Sequence, residues 1–271
     1  MASLSELLPT EAIRLDVPAA DWREAVRTAG ELLVASGTST DTYTAEMIAN
    51  VEENGPYIVI APGFAFAHAR PSPAVLRTGM SWVRLEEPVA FGHEANDPVT
   101  LVVALAARDS GAHTAAMASL ARLLGDPDTD SSLRDAPTPE ALRLVLEQQD
   151  AGPARDAGPA RDAGSAGAAE SRATGPSTQK ILTVCGNGVG TSLFLKNTLE
   201  KVLDRWGWSR NITVEATDTI SAKGKASEAA AILTSREIAR TLGDVGVPVK
   251  VVEDFTSTSE VDRTLRDTYD V

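Results

Sequence analysis

Residues 181–206 read ILTVCGNGVGTSLFLKNTLEKVLDRW. Ile181–Val184 is a short apolar run fit for a buried strand, Thr191–Trp206 has helical periodicity, and three glycines within five residues join them. A glycine turn between strand and helix is the unit of a parallel sheet, and its loop lies where such sheets bind ligands. Downstream the pattern repeats. Ile212–Ala216, Ala229–Leu233 and Val247–Val252 read as strands, and Arg236–Leu242 and Ser259–Tyr269 as helices. Residues 181–271 are therefore expected to form a small, doubly wound, parallel four-stranded α/β domain.

Upstream, residues 151–180 read AGPARDAGPARDAGSAGAAESRATGPSTQK, with AGPARD twice in tandem. Gly, Ala, Pro and Ser dominate, and no apolar period exists to offset chain entropy. The stretch reads as a disordered, flexible linker. Residues 1–150 read as a separate α/β domain with a mixed sheet. Helices are expected at Asp21–Ser36, with Asp21 and Glu24 in capping-box spacing, at Thr40–Asn54, at Ser110–Leu124 capped by Ser110, and from Thr138-Pro139-Glu140 onward. Tyr57–Ile60, Phe64–His68, Met80–Leu85 and Val99–Ala104 read as strands, with a turn at Pro62-Gly63.

Charge separates the two ends. The 271 residues carry net −13. Residues 1–150 hold 22 acidic and 10 basic residues and no Lys, while 181–271 hold 13 acidic and 11 basic. That balance argues against nucleic-acid binding, which needs a basic surface. The acidic N-terminal part is either a solvated face or a docking surface for a basic partner. One cysteine rules out a disulfide framework and fits a reducing compartment. The N-terminus lacks the basic start and apolar stretch of a secretory signal, and no run of about 18 apolar residues spans a bilayer. A cytoplasmic location is expected.

The loop Gly186-Asn187-Gly188-Val189-Gly190-Thr191-Ser192 follows Cys185. Its glycines let successive N–H groups converge, the helix start adds orphan donors, and Thr191 and Ser192 add hydroxyls. Such a nest suits a phosphate dianion and would favour the Cys185 thiolate. It is not a Walker loop, because no Lys precedes Thr191 or Ser192, and its glycines miss the G-x-G-x-x-G spacing. A Cys-x5-Arg phosphatase would need Arg where Thr191 stands. The bland alternative is a buried cysteine acting as a small hydrophobe.

Three histidines exist. His68 ends the Phe64–His68 strand, a place where chemistry is often mounted. His113 heads a helical stripe with Met117, Leu120 and Leu124. His93 lies in a polar turn and is expected to be exposed. No HExxH or histidine cluster suggests a metal, and no cofactor is expected.

Residues 47–71, MIANVEENGPYIVIAPGFAFAHARP, resemble the A component of sugar phosphotransferase systems of the mannitol–fructose superfamily, most of all its ascorbate-type branch. The family pattern ends in Pro-His; here Ala67 precedes His68. Residues 181–271 resemble the matching B component through the Cys185 loop and the stretches Ala216–Ile220 and Val252–Thr256. The resemblance implies that His68 is phosphorylated, that His113 assists, that Cys185 is the second phosphoryl carrier, and that Gly186–Ser192 is its cradle. It implies the phosphocarrier HPr as donor and a separate membrane-embedded C component that delivers the group to a sugar, in the ascorbate branch L-ascorbate. The chain would then sit peripherally at a membrane transporter. Two other readings stay open: a regulatory phospho-acceptor that feeds no sugar, and a small Cys-dependent phosphatase.

Overall fold

The computed structural model describes residues 3–151, 179–185 and 191–269, so residues 152–178 of the linker reading and the glycines of the Cys185 loop lie outside the described residues, while Ala151 ends a helix and Gln179 and Lys180 open a strand. The N-terminal part runs α1 (Leu4–Leu7), β1 (Ile13–Val17), α2 (Trp22–Ala35), α3 (Asp41–Asn54), β2 (Val59–Ala61), β3 (Phe64–His68), β4 (Gly79–Val89), β5 (Val99–Ala106), α4 (Ser110–Leu124), α5 (Pro127–Arg134) and α6 (Pro139–Ala151). Its five strands lie in the order β1-β4-β5-β3-β2. β1/β4 and β3/β5 are parallel, and β4/β5 and β2/β3 antiparallel, which makes the sheet mixed as expected.

Strand alternation decides what each face of this sheet does. In β3, Ala65 and Ala67 point to one face, where α2 and α3 pack with Val26, Leu33, Tyr43 and Met47. Phe64 and Phe66 point to the other, with Leu101, Leu105 and the α4 stripe Met117, Leu120 and Leu124. By the period of two, His68 shares the face of the phenylalanines. The small residues let helices approach closely. Gly30 of α2 lies so near α3 that a Cβ there would stand 2.2 Å from Thr44 Oγ1.

Most expected elements form, with informative shifts. Asp21 caps α2 by accepting from Glu24 N–H at 2.9 Å, but the Glu24 carboxylate returns to Ala20 N–H at 2.7 Å, so the box is displaced by one residue. Ser110 is not the cap of α4. Asp109 is, accepting from Ala112 N–H at 2.8 Å, because a carboxylate at the extended position competes better for the free donors. Tyr57 lies outside β2, which begins at Val59. The elements α1, β1 and α5 had no clear sequence reading; their apolar periods are too short to stand out.

The C-terminal part runs β6 (Gln179–Cys185), α7 (Ser192–Trp206), β7 (Ile212–Asp218), α8 (Thr219–Lys225), β8 (Ala231–Thr234), α9 (Arg236–Leu242), β9 (Val249–Val251) and α10 (Thr258–Tyr269). The strands form an all-parallel sheet in the order β7-β6-β8-β9. α7 ends in a left-handed glycine, Gly207 at φ 73°.

The two sheets are joined by packing as well as by chain. Phe194 of α7 packs on Phe64 and Phe66 of β3, with centroids 6.4 and 5.8 Å away. Such pairs add about 0.5–1.5 kcal/mol each beyond buried area. The C-terminus of α4 receives two donors from α7: Asn197 Nδ2 to Ala121 O at 3.3 Å, beside the Gly125 N–H that this carbonyl already accepts, and Lys201 Nζ to Gly125 O at 2.8 Å. Phe255 N–H bonds Ile60 O at 3.1 Å, and Asn96 Nδ2 bonds Glu253 O at 2.9 Å.

Candidate functional site

β3 pairs with β5 through its last residue, His68 opposite Leu105, so with Ala67 in the preceding position the strand runs through the histidine. Just beyond, the buried hydroxyl of Tyr43 on α3 accepts Ala69 N–H at 3.0 Å and donates to Leu105 O at 2.8 Å, which pins the strand exit. His68 itself is 5% exposed. Its Nδ1 lies 3.0 Å from Phe66 O. A carbonyl only accepts, so Nδ1 carries the proton and Nε2 keeps the lone pair. Burial, and to a lesser degree the nearby His113, push the imidazole pKa down to about 4. The ring is therefore neutral at pH 7, a nucleophile with one defined nitrogen.

His113, in the first turn of α4, stands 5.5 Å from His68 between ring centroids. Burial lowers its pKa as well. Its Nδ1 is buried and has no hydrogen-bond partner among the described residues. An unpartnered buried ring nitrogen beside a nucleophile suits an incoming polar group.

Cys185 ends β6 and is 4% exposed. Burial pushes its thiol up, while the hydroxyls and backbone N–H groups of Ser192 and Thr191 hydrogen-bond the sulfur and pull the other way. Burial outweighs them, so the expected preference for thiolate is reversed in this closed arrangement. Thr191 and Ser192 thus meet Cys185 as expected; Gly186, Asn187, Gly188, Val189 and Gly190 lie outside the described residues.

A cavity of about 10 Å³ touches Cys185, Thr191 and Ser235 of the C-terminal part and Tyr57 and His93 of the N-terminal part. That is room for about one water. Tyr57 reaches both sites. Its ring stands edge-on to His68, centroids 6.0 Å apart, while its phenol is pushed up to about 12 by burial and by the Cys185 sulfur. A larger cleft of about 320 Å³, bordered by Tyr57, Thr219 and Glu237, adjoins it.

The structure thus sets His113 beside His68, and Thr191 and Ser192 against Cys185, with Tyr57 reaching both groups. It corrects a second expectation: His93 is not exposed but 6% accessible, because the Asp97 carboxylate gathers the N–H groups of Phe91, Gly92 and His93 and folds the turn inward. Tyr57 and Ser235 were not singled out from the sequence; a lone tyrosine after Pro56 and a serine capping α9 carry no motif. Among the described residues no cluster of His, Cys, Asp or Glu could hold a metal, and no helix is long and apolar enough to cross a membrane.

Comparison with known proteins agrees in both halves. Residues 6–149 match the family described as "Phosphoenolpyruvate-dependent sugar phosphotransferase system, EIIA 2", and residues 180–267 match "PTS system, Lactose/Cellobiose specific IIB subunit". An ascorbate-specific PTS system EIIA component of Escherichia coli (strain K12) is 35% identical over 146 residues, 54% of this chain and 95% of that protein. A Salmonella typhimurium protein of the same name is 36% identical over the same length and shares. The solution structure of a mannitol-specific cryptic phosphotransferase enzyme IIA from Escherichia coli superposes with TM-score 0.50 at 31% identity, covering 54% of this chain and 99% of that one.

Proposed function

Because the chain belongs to the EIIA 2 family of the phosphoenolpyruvate-dependent sugar phosphotransferase system, and carries a IIB-type region behind it, we propose that it is a two-step relay. Residues 1–150 form the A domain, 181–271 the B domain, and 151–180 the tether between them. The phosphoryl group passes from phospho-HPr to His68, from His68 to Cys185, and from Cys185 to a sugar held by a membrane C component. The ascorbate-specific relatives support L-ascorbate as that sugar.

One observation carries the reading: the buried His68 presents a neutral ring whose Nδ1–H is committed to Phe66 O, leaving Nε2 as the nucleophile. In the first step the Nε2 lone pair forms the new P–N bond as the P–N bond in HPr breaks. Nδ1 keeps its proton, so the phosphorylated ring is cationic and a good leaving group. In the second step Cys185 loses its proton to solvent, Sγ forms the S–P bond, and the electrons of the P–N bond return to Nε2 as a neutral imidazole. The transition state is loose, so catalysis consists of placement and charge stabilisation. His113 Nδ1 and the hydroxyls of Thr191 and Ser192 are the polar groups at the two ends. The rings against His68, those of Tyr57, Phe66 and His113, belong to the A domain itself.

The test is intact mass after incubation with phosphoenolpyruvate, enzyme I and HPr. Wild type is expected to gain phosphoryl groups, Cys185→Ser to label only at His68, and His68→Ala to label nowhere. Labelling of His68→Ala at the wild-type level would overturn the assignment. Steady release of inorganic phosphate from a chromogenic phosphate ester would favour the phosphatase reading instead.

A further inference from the structure

His93 is the histidine for which the relay has no use so far, yet it lines the same cavity as Cys185. It comes from the opposite domain, on the turn between β4 and β5, and that turn is held from three sides. Asp97 accepts the N–H groups of Phe91, Gly92 and His93 at 3.0, 2.6 and 3.0 Å. Asn96 Nδ2 reaches Val59 O at 3.2 Å and, across the interface, Glu253 O at 2.9 Å. The imidazole is held too: Nδ1 accepts the N–H groups of Ala95 at 3.3 Å and Asn96 at 3.1 Å. Nδ1 therefore holds a lone pair, and Nε2, on the far edge of the ring, carries the proton.

A fixed N–H donor lining the same cavity as a thiol that is to hold a phosphoryl dianion has a clear use. Glu237 lines the cavity as well, and its Oε2 is buried without a hydrogen-bond partner among the described residues. Donors there have a repulsive carboxylate to offset.

On the relay reading above, we propose that His93 is a third histidine of the transfer. Its Nε2–H hydrogen-bonds a phosphoryl oxygen as the group arrives on Cys185, so the thiophosphate site is complete only when the A domain is docked. No bond to His93 forms or breaks. Preorganised donors of this kind act on charge in transit at no reorganisation cost.

The experiment loads the full chain with phospho-HPr, quenches in base on the millisecond scale, and follows the His68 and Cys185 peptides by mass. His93→Asn keeps an acceptor near the Nδ1 position for the Ala95 and Asn96 N–H groups but removes the donor. His93→Gln returns an amide N–H near the Nε2 position. Transfer to Cys185 is expected to fall about 100-fold in the Asn variant, by analogy with loss of one oxyanion donor, and to recover largely in the Gln variant. Loading of His68 stays at the wild-type rate in both. A wild-type transfer rate in His93→Asn overturns the proposal, and so does equal slowing in both variants, which would mark His93 as a prop for the turn. If wild type never loads His68, the relay reading itself fails, a result distinct from either.

Discussion

The ring of Tyr57 stands edge-on to that of His68, with centroids 6.0 Å apart and planes at 82°, while the same tyrosine lines the cavity of Cys185. In the proposed relay a phenol held between the two carriers can hydrogen-bond the group in passage, and with its pKa near 12 it stays a donor at every working pH. Tyr57→Phe keeps the ring contact and removes the hydroxyl. The expected outcome is transfer from His68 to Cys185 slowed by about 10- to 100-fold, with loading of His68 unchanged, as read by rapid quench and peptide mass.

His68 links pH to stability. Its pKa is 6.5 in the unfolded chain and about 4 in the fold, so the unfolded state takes up a proton first on acidification. The stabilisation is full above pH 6.5 and is lost as pH falls toward 4, amounting to about 3 kcal/mol over that window. Urea unfolding of wild type and His68→Gln at pH 7.5 and 4.5 should show wild type losing more stability by that order. Over pH 6–8 the loading rate at His68 should not report its titration.

Docking rests in part on the two donors that α7 gives to the end of α4. Asn197→Ala with Lys201→Met removes the bonds to Ala121 O and Gly125 O and leaves helix α7 intact in propensity. The docked population should fall, and iodoacetamide should alkylate Cys185, whose cavity is lined by Tyr57 and His93 of the other part, about 10-fold faster, as expected if about 1.4 kcal/mol of docking energy is lost. An unchanged rate would mean that the other contacts, Phe194 on Phe64 and Phe66 and the hydrogen bonds of Phe255 and Asn96, hold the domains together without these two donors.

Ser192 and Thr191 oppose the effect of burial on Cys185, with the Ser192 hydroxyl the largest lowering cause. Removing that donor in Ser192→Ala should move the thiol pKa further up. The midpoint of the pH profile for iodoacetamide alkylation would then shift to higher pH, and alkylation at pH 8 would slow relative to wild type.

Local pattern was enough for much of this. The alternation of strand and helix after Ile181 and the run through Phe64–His68 are short-range features, and the structure places them in a parallel sheet and a mixed sheet as read. Ser110 misled because a cap is chosen by which neighbour reaches the extended position, and Asp109 does. α5 was missed because eight residues around Pro127 carry only two buried side chains, Thr129 and Leu133.

The sequence by itself singled out His68 and Cys185 as the proposed carriers, and its period-two register puts His68 on the face of Phe64 and Phe66. Only the folded strand decided which nitrogen of His68 carries the proton, because that follows from the Phe66 carbonyl 3.0 Å away, two residues back on the same strand. The tertiary structure alone turned His93 inward and set Tyr57 and His93 against Cys185, residues 128 and 92 positions distant in the chain. Such meetings depend on how Phe194 seats on Phe64 and Phe66 and on how α7 caps α4. Those are contacts between surfaces, and no local period in the chain encodes them.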